Sequence, residues 1–303
     1  MGKIVVTGAS GFVGRHVLNL VPDAIPVMRS KAQCPDFISV PSLDDSVPWK
    51  ILLGKNIDAI IHLAGLAHGS FFSDVDYHNV NVKGTLHLAE EAAKVGVSRF
   101  VFVSSIGVNG MSTTTRPFNV SSELIPHNEY SKSKYDAEIG LKKIAKETGL
   151  EVVIVRPTLV YGPDAPGNFG MLTKLIKRLG VLPFGLATNR RDFISVQNLA
   201  DLLVTCATHP NAAGHTFLAS DSETVSIKKF TNAIANGLGK KAIQLPVPVS
   251  LMRFAGRLTG KSAMIEQLYG NLEVDSSNIK EVLGWTPPFT MEQSMALLKH
   301  TDK

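Results

Sequence analysis

Short runs of β-branched and aliphatic residues alternate along the chain with longer stretches whose apolar side chains recur every three or four positions. Ile4 to Thr7 is the first run; Gly8, Ala9, Ser10 and Gly11 follow, then a helical pattern from Phe12 through Leu20. The chain therefore opens as strand, tight turn and helix. Ala24 to Met28, Ala59 to Leu63 and Phe100 to Ser104 are further apolar runs, and Ile57 sits at the approach to the second of these. Between the last two, Val82, Leu86, Ala89 and Ala93 recur at helical spacing. A helix is expected from about Glu129 to Thr148, ended by Gly149, with a strand at Glu151 to Val155. The runs do not alternate cleanly with polar residues, as is expected of strands covered on both faces in a parallel sheet. The first half predicts a doubly wound α/β domain.

Beyond residue 160 the rhythm loosens. Asp164 to Gly170 reads as a loop rich in Pro, Gly and Asn, ahead of a helix at Met171 to Leu179. A helix around Leu199 to Cys206, a short run at Thr216 to Ala219 and a helix over Ser226 to Asn236 follow. The expected organisation is a nucleotide-binding domain over residues 1–165 and a smaller, mostly helical substrate-binding lobe over 166–303, with room for one strand to return to the main sheet.

Composition narrows this picture. Hydrophobic residues at 44% and charged residues at 19% describe an ordinary globular chain and exclude a disordered one. The net charge of +5 is spread over short pairs such as Arg190/Arg191, Lys228/Lys229 and Lys240/Lys241. There is no dense basic stripe with aromatics, so no nucleic-acid partner is expected, and the excess suits an anionic small substrate. Cys34 and Cys206 are far apart and no CxxC or HExxH occurs. Neither a metal site nor a disulfide framework is expected, and a cytoplasmic location follows as the default. No stretch approaches the roughly 20 apolar residues that span a bilayer. The Pro246 to Ala255 segment is read as a peripheral helix over the lobe, and no membrane partner is expected.

Gly8, Gly11 and Gly14 stand three apart directly after the first strand. The first permits a tight turn, the second lets backbone approach a phosphate and the third allows close helix-to-sheet packing. With Ser10, Phe12 and Val13 they form a Rossmann-type dinucleotide turn at a helix N-terminus. An acidic partner for an NAD ribose would stand just after the second strand. Arg29 and Ser30 stand there instead, and an arginine there favours a 2′-phosphate, so NAD and NADP both remain open.

Tyr130 and Lys134 lie four apart at the start of the long helix and share a face. A lysine beside a phenol favours the phenolate, and the tyrosine can exchange a proton with a substrate oxygen. Ser105, where the fourth strand ends, can orient that oxygen; Ser104 is the competing serine.

Several landmarks join these: Asp58-x3-His62-Leu63-Ala64, Asn81-x2-Gly84-Thr85, Arg156-Pro157-x3-Tyr161-Gly162-Pro163, Arg191-Asp192-Phe193 and Gly284-Trp285-x-Pro287. Together they resemble the extended short-chain dehydrogenase/reductases of the NAD-dependent epimerase/dehydratase family, in the bacterial UDP-glucose 4-epimerase-like branch. The resemblance implies Ser105, Tyr130 and Lys134 as the catalytic group. It implies Leu63, Ala64, Gly65 and Asn81 along the cofactor, with Tyr161 to Pro163 entering the nicotinamide and substrate side. Arg191 would contact a substrate diphosphate, and Asn168 is a second substrate candidate. Ser42-Leu43, Asn109 and Leu159 depart from the family pattern, and Ile106-Gly107 replaces the Asp-Glu pair of dehydratases. The implied activity is that of an NAD-dependent UDP-hexose 4-epimerase acting through a transient 4-keto sugar, with an NAD(P)H-dependent UDP-4-keto-6-deoxy-hexosamine 4-reductase as the alternative and a noncatalytic dinucleotide-binding regulatory protein as a third reading. A UDP-sugar substrate and a homodimer are the implied partners.

Overall fold

The computed structural model describes residues 3–29, 37–54, 56–67 and 72–300. Its first half runs β1 (Lys3–Thr7), α1 (Phe12–Leu20), β2 (Ile25–Arg29), β3 (Ile38–Val40), α2 (Trp49–Leu52), β4 (Ile57–His62), α3 (Asp74–Tyr77), a π-helical segment (His78–Gly84), α4 (Thr85–Lys94), β5 (Arg99–Val103), α5 (Glu129–Thr148) and β6 (Glu151–Pro157). The second half adds β7 (Leu159–Tyr161), α6 (Gly167–Leu179), β8 (Val181–Leu182), β9 (Phe193–Ser195), α7 (Val196–Thr208), β10 (Thr216–Ala219), α8 (Ile227–Gly237), β11 (Ile243–Gln244), α9 (Val249–Leu258), α10 (Ser262–Tyr269), α11 (Ser277–Leu283) and α12 (Met291–Ala296).

Among the described residues seven strands form one sheet in the order β10-β6-β5-β4-β1-β2-β3, every neighbour parallel. Alternate residues serve two cores. Val6, Ile61, Val101 and Val153 pack under α1 and α7, whereas Val5, Ile60, Phe100 and Val152 pack under α4 and α5. Burial on both faces is the reason the strands read as continuous apolar runs. The chain leaves β1 toward β2 and then returns to place β4 on the other side. This topological switch opens a crevice at the C-terminal edge, where Thr7, His62 and Val103 end their strands.

The strand expected to return is β10, which lies beside β6. A third core fills the lobe, with Phe193 stacked on Phe230 at 3.8 Å between ring centres and Tyr161, Phe169 and Tyr269 in the same cluster.

Two elements differ from the sequence expectation. The helix expected from Met171 begins at Gly167, because the buried Phe169 side chain anchors the extra turn and outweighs the low helix propensity of its glycines. The helix ahead of β5 contains a seven-residue π-helical segment. Its extra residue shifts the phase of the face behind it, so Leu88 and Ala92 are fully buried while Leu86 and Ala93 are only partly so. Among the described residues no helix is long and apolar enough to cross a membrane.

Candidate active site

The glycine turn is built so tightly that side chains are excluded. Gly8 adopts φ +68°, and a Cβ there would lie 2.9 Å from the Ala64 nitrogen. A Cβ on Gly14 would lie 2.3 Å from the Gly8 carbonyl oxygen and 2.8 Å from the Ala9 Cα. These neighbours are backbone, so Gly14→Ala must displace the turn itself; we expect a loss of about 1–3 kcal/mol in thermal unfolding together with weakened dinucleotide binding. No side chain caps the amino end of α1 at Gly11, and no acidic residue occupies its first turn. Uncapped amides at an exposed, glycine-lined helix start suit a pyrophosphate. Ser10 and Gly11 are exposed there, Phe12 and Val13 are half-buried, and Arg29 is exposed at the end of β2.

The floor of the crevice is a buried polar chain. The Thr7 hydroxyl accepts the Ala64 N–H at 3.2 Å and lies 2.7 Å from His62 Nδ1, while His62 Nε2 lies 3.0 Å from the Thr85 hydroxyl. Burial and the neighbouring Lys134 charge push the His62 pKa from 6.5 down to about 3. The unfolded chain then takes up this proton first, so the stabilising contribution is complete above pH 6.5 and is lost as pH falls toward 3. In urea titrations, wild type is expected to lose more stability than His62→Asn between about pH 7 and pH 4.5, and an equal loss in both proteins would contradict a neutral His62. Beyond β4, Leu63 is half-buried, Ala64 is buried and Gly65 is exposed. A Cβ on Gly65 would lie 2.9 Å from Asn81 Oδ1. Asn81 belongs to the π-helical segment; its amide accepts Leu66 N–H at 2.7 Å and donates to Leu66 O at 3.1 Å and Ser133 Oγ at 3.0 Å. It therefore holds the Gly65 segment against α5.

Asn128 caps α5 in a reciprocal box with Ser131, which sets Tyr130 in the first turn and Lys134 one turn later. The Ser105 hydroxyl hydrogen-bonds the Tyr130 phenol, and its oxygen also accepts Gly107 N–H at 3.1 Å. Burial, followed by electrostatic repulsion from the nearby Tyr77 phenolic group, raises the Tyr130 pKa to about 12, against an opposing hydrogen bond from Ser105. Lys134 donates to the Val103 carbonyl at 3.0 Å, with its ammonium 4.7 Å above the Phe102 ring. Burial lowers its pKa to about 8, against an opposing pull from Glu138. It remains a cation at neutral pH.

The competing serine is engaged elsewhere. Ser104 donates to Glu138 Oε1 at 2.5 Å inside a buried network in which Arg156 binds both Glu138 oxygens and Asn109 Oδ1. The sequence reading missed this network; an arginine in a nearly fully buried strand was its signal.

The remaining predicted residues lie in or against the lobe, Tyr161 from just ahead of it in the chain. The Tyr161 side chain is fully buried between Phe169 and Phe230, and its hydroxyl donates to Asp221 at 2.7 Å. The Tyr161 ring thus completes this core, and its backbone leads into Gly162 and Pro163. Asn168 is exposed and donates to Gln267 at 3.0 Å. Arg191 is half-buried, donates to the Gly270 carbonyl at 3.0 Å and has its pKa lowered to about 10 by burial. Both are thus tied to α10 and its end, whereas Ser105, Tyr130 and Lys134 belong to the sheet side. A separate cavity of about 500 Å³ between Asp192, Ser276, Lys280 and Trp285 includes none of the proposed catalytic or cofactor residues.

A doubly wound parallel sheet with this glycine turn and a Ser-Tyr-Lys group at its carboxyl edge defines an extended short-chain dehydrogenase/reductase. The model of the NAD dependent epimerase/dehydratase family matches residues 4–219, and the chain belongs to that family. It is 40% identical over 304 residues to a UDP-glucose 4-epimerase of Vibrio cholerae, covering 96% of this chain and 92% of that protein. It is also 26% identical over 315 residues to the GDP-6-deoxy-D-mannose reductase of Pseudomonas aeruginosa, covering 97% and 94%. Among solved structures, the UDP-N-acetylglucosamine 4-epimerase from Bacillus cereus shares the fold with a TM-score of 0.78 at 19% identity, covering 99% of each chain. The protein is an NAD(P)-dependent enzyme of the epimerase and oxidoreductase type.

Proposed function

We propose that the protein is an NAD-dependent UDP-hexose 4-epimerase acting through a transient 4-keto sugar. The observation that carries this reading is the Ser105 side chain facing the Tyr130 phenol, with the Lys134 ammonium one helical turn further on and close to Gly65, beside the glycine-lined crevice. The Vibrio cholerae relative supports the choice of reaction. Gly8, Ser10, Gly11, Phe12, Val13 and Gly14 would hold the pyrophosphate half of the dinucleotide. Leu63, Ala64, Gly65 and the Tyr161 backbone would line its path, with Asn81 keeping that path open. A dinucleotide held there would supply the hydride acceptor and donor for the sugar carbon. Tyr130 takes the proton of the C4 hydroxyl and later gives it back, Ser105 holds that oxygen in line, and the Lys134 charge favours the phenolate. Arg191, with Asn168, would bind the UDP diphosphate.

Arg29, exposed at the end of β2, favours a second reading as an NADPH-dependent UDP-4-keto-sugar reductase. Incubating the protein with UDP-glucose, UDP-N-acetylglucosamine and 4-keto UDP-sugars, while following sugar products and nicotinamide absorbance, separates the two. Inversion at C4 without net absorbance change is expected; stoichiometric consumption of NADPH would establish the reductase instead.

A further inference from the structure

We infer, against the expectation of no membrane partner, that the lobe is a peripheral membrane surface, with α9 lying in the interface of an anionic lipid bilayer. Leu251, Phe254, Ala255 and Leu258 recur at i, i+3, i+4 and i+7 and form one face of this ten-residue helix. That face is in water: Leu251 is 56%, Phe254 58% and Leu258 72% exposed. The helix already has a core side, since Gly256 is buried and Val249 and Met252 pack against the lobe cluster. It therefore carries two apolar faces where a surface helix carries one.

The exposed face does not stand alone. Met171, Leu175 and Leu179 repeat every four residues on α6 and are exposed. So are Val181 and Ile243, paired across β8 and β11, and Leu245 beyond them. Among the described residues, 11 of the 22 exposed large apolar side chains fall between positions 171 and 264. Scattered exposed leucines need no explanation, whereas apolar side chains repeating along one exposed face of a helix, as on α6 and α9, mark an interaction surface.

Charge selects the occupant. From Thr224 to Ile265 the chain has seven Lys and Arg residues and no Asp or Glu, two of the seven, Lys229 and Arg253, being paired with the flanking Glu223 and Glu266, and from Met171 to Asn189 it has three and none. Arg257 and Lys261 are exposed beside the α9 stripe, as are Lys174 and Arg178 beside that of α6. A second copy of the same face would bring like charges together, whereas an anionic lipid surface both neutralises them and accepts the apolar stripe. The absence of a spanning segment does not bear on a helix lying in the plane of the interface. The inference is independent of the reaction proposed above.

The test is flotation of the full-length protein with vesicles of phosphatidylcholine alone or containing about one-third phosphatidylglycerol. The protein is expected to float with the anionic vesicles only, and raised salt should release it. The triple variant L251Q/F254Q/L258Q, changed only at exposed side chains, should lose about tenfold in bound fraction with an unaltered unfolding midpoint. In a Phe254→Trp protein, emission should shift to the blue on adding anionic vesicles. No flotation at low salt, or equal flotation by the triple variant, would overturn the inference. So would self-association through this face, seen by sedimentation and abolished by the same variant, without vesicle binding.

Discussion

Tyr130→Phe is expected to lower kcat by about 10²- to 10⁴-fold while KM changes only a few-fold, the signature of a lost general acid/base. The substitution removes one oxygen and leaves the ring beside Tyr77, 6.3 Å away between centroids. The Asn128 cap and the Lys134 contact to Val103 do not involve that oxygen. A purely structural role would appear as a lower unfolding midpoint or a raised KM instead. Steady-state kinetics on a UDP-hexose with bound dinucleotide read this directly; full turnover by the variant would require a different proton carrier.

Arg156→Leu should be the most damaging substitution for stability, costing about 3–5 kcal/mol in urea unfolding. Glu138 and Arg156 are 1% and 2% exposed, and the guanidinium donates to both carboxylate oxygens, at 2.9 and 2.5 Å. Without it a carboxylate is left buried beside Ser104. The double variant Arg156→Leu/Glu138→Leu is expected to recover much of the loss, because replacing both members of a buried pair by apolar groups removes the unpaired charge. If the double variant is no more stable than the single one, packing rather than charge dominates at this site. The network also matters to chemistry. It ties the end of β5, the turn holding Asn109, α5 and β6 into one unit, with Glu138 a single helical turn beyond Lys134.

Much of this was legible in the sequence for a local reason. Alternation of short apolar runs with helical periodicity follows from burial on both sheet faces, and three glycines at fixed spacing after the first run specify a turn that backbone contacts make obligatory. The carboxyl end of α5 was readable because Gly149, at φ +78°, ends it, whereas the Asn128 cap at the other end emerged from the structure. The edge strand β3 and the short pairs β7–β9 and β8–β11 were not readable, since two or three residues give no period to detect.

Candidate residues divided along the same line. Tyr130 and Lys134 share a face by helical spacing alone, but nothing local chooses between Ser104 and Ser105. That choice was made by what each hydroxyl meets: Glu138 for Ser104, Tyr130 for Ser105. Tyr161 shows the same limit. Its position after Arg156-Pro157 resembles a cofactor contact, while its ring is committed to a lobe core built from residues far along the chain. The sequence by itself determined the doubly wound sheet, the dinucleotide turn and the Tyr130/Lys134 pair, because each depends on neighbours within a turn or a strand. Only the tertiary structure decided which serine faces the tyrosine, that Asn81 braces the Gly65 segment, that Glu138 and Arg156 are buried together, and that α9 presents a second apolar face. These depend on side chains brought together across the sheet or the lobe, and on what the finished packing leaves exposed to water.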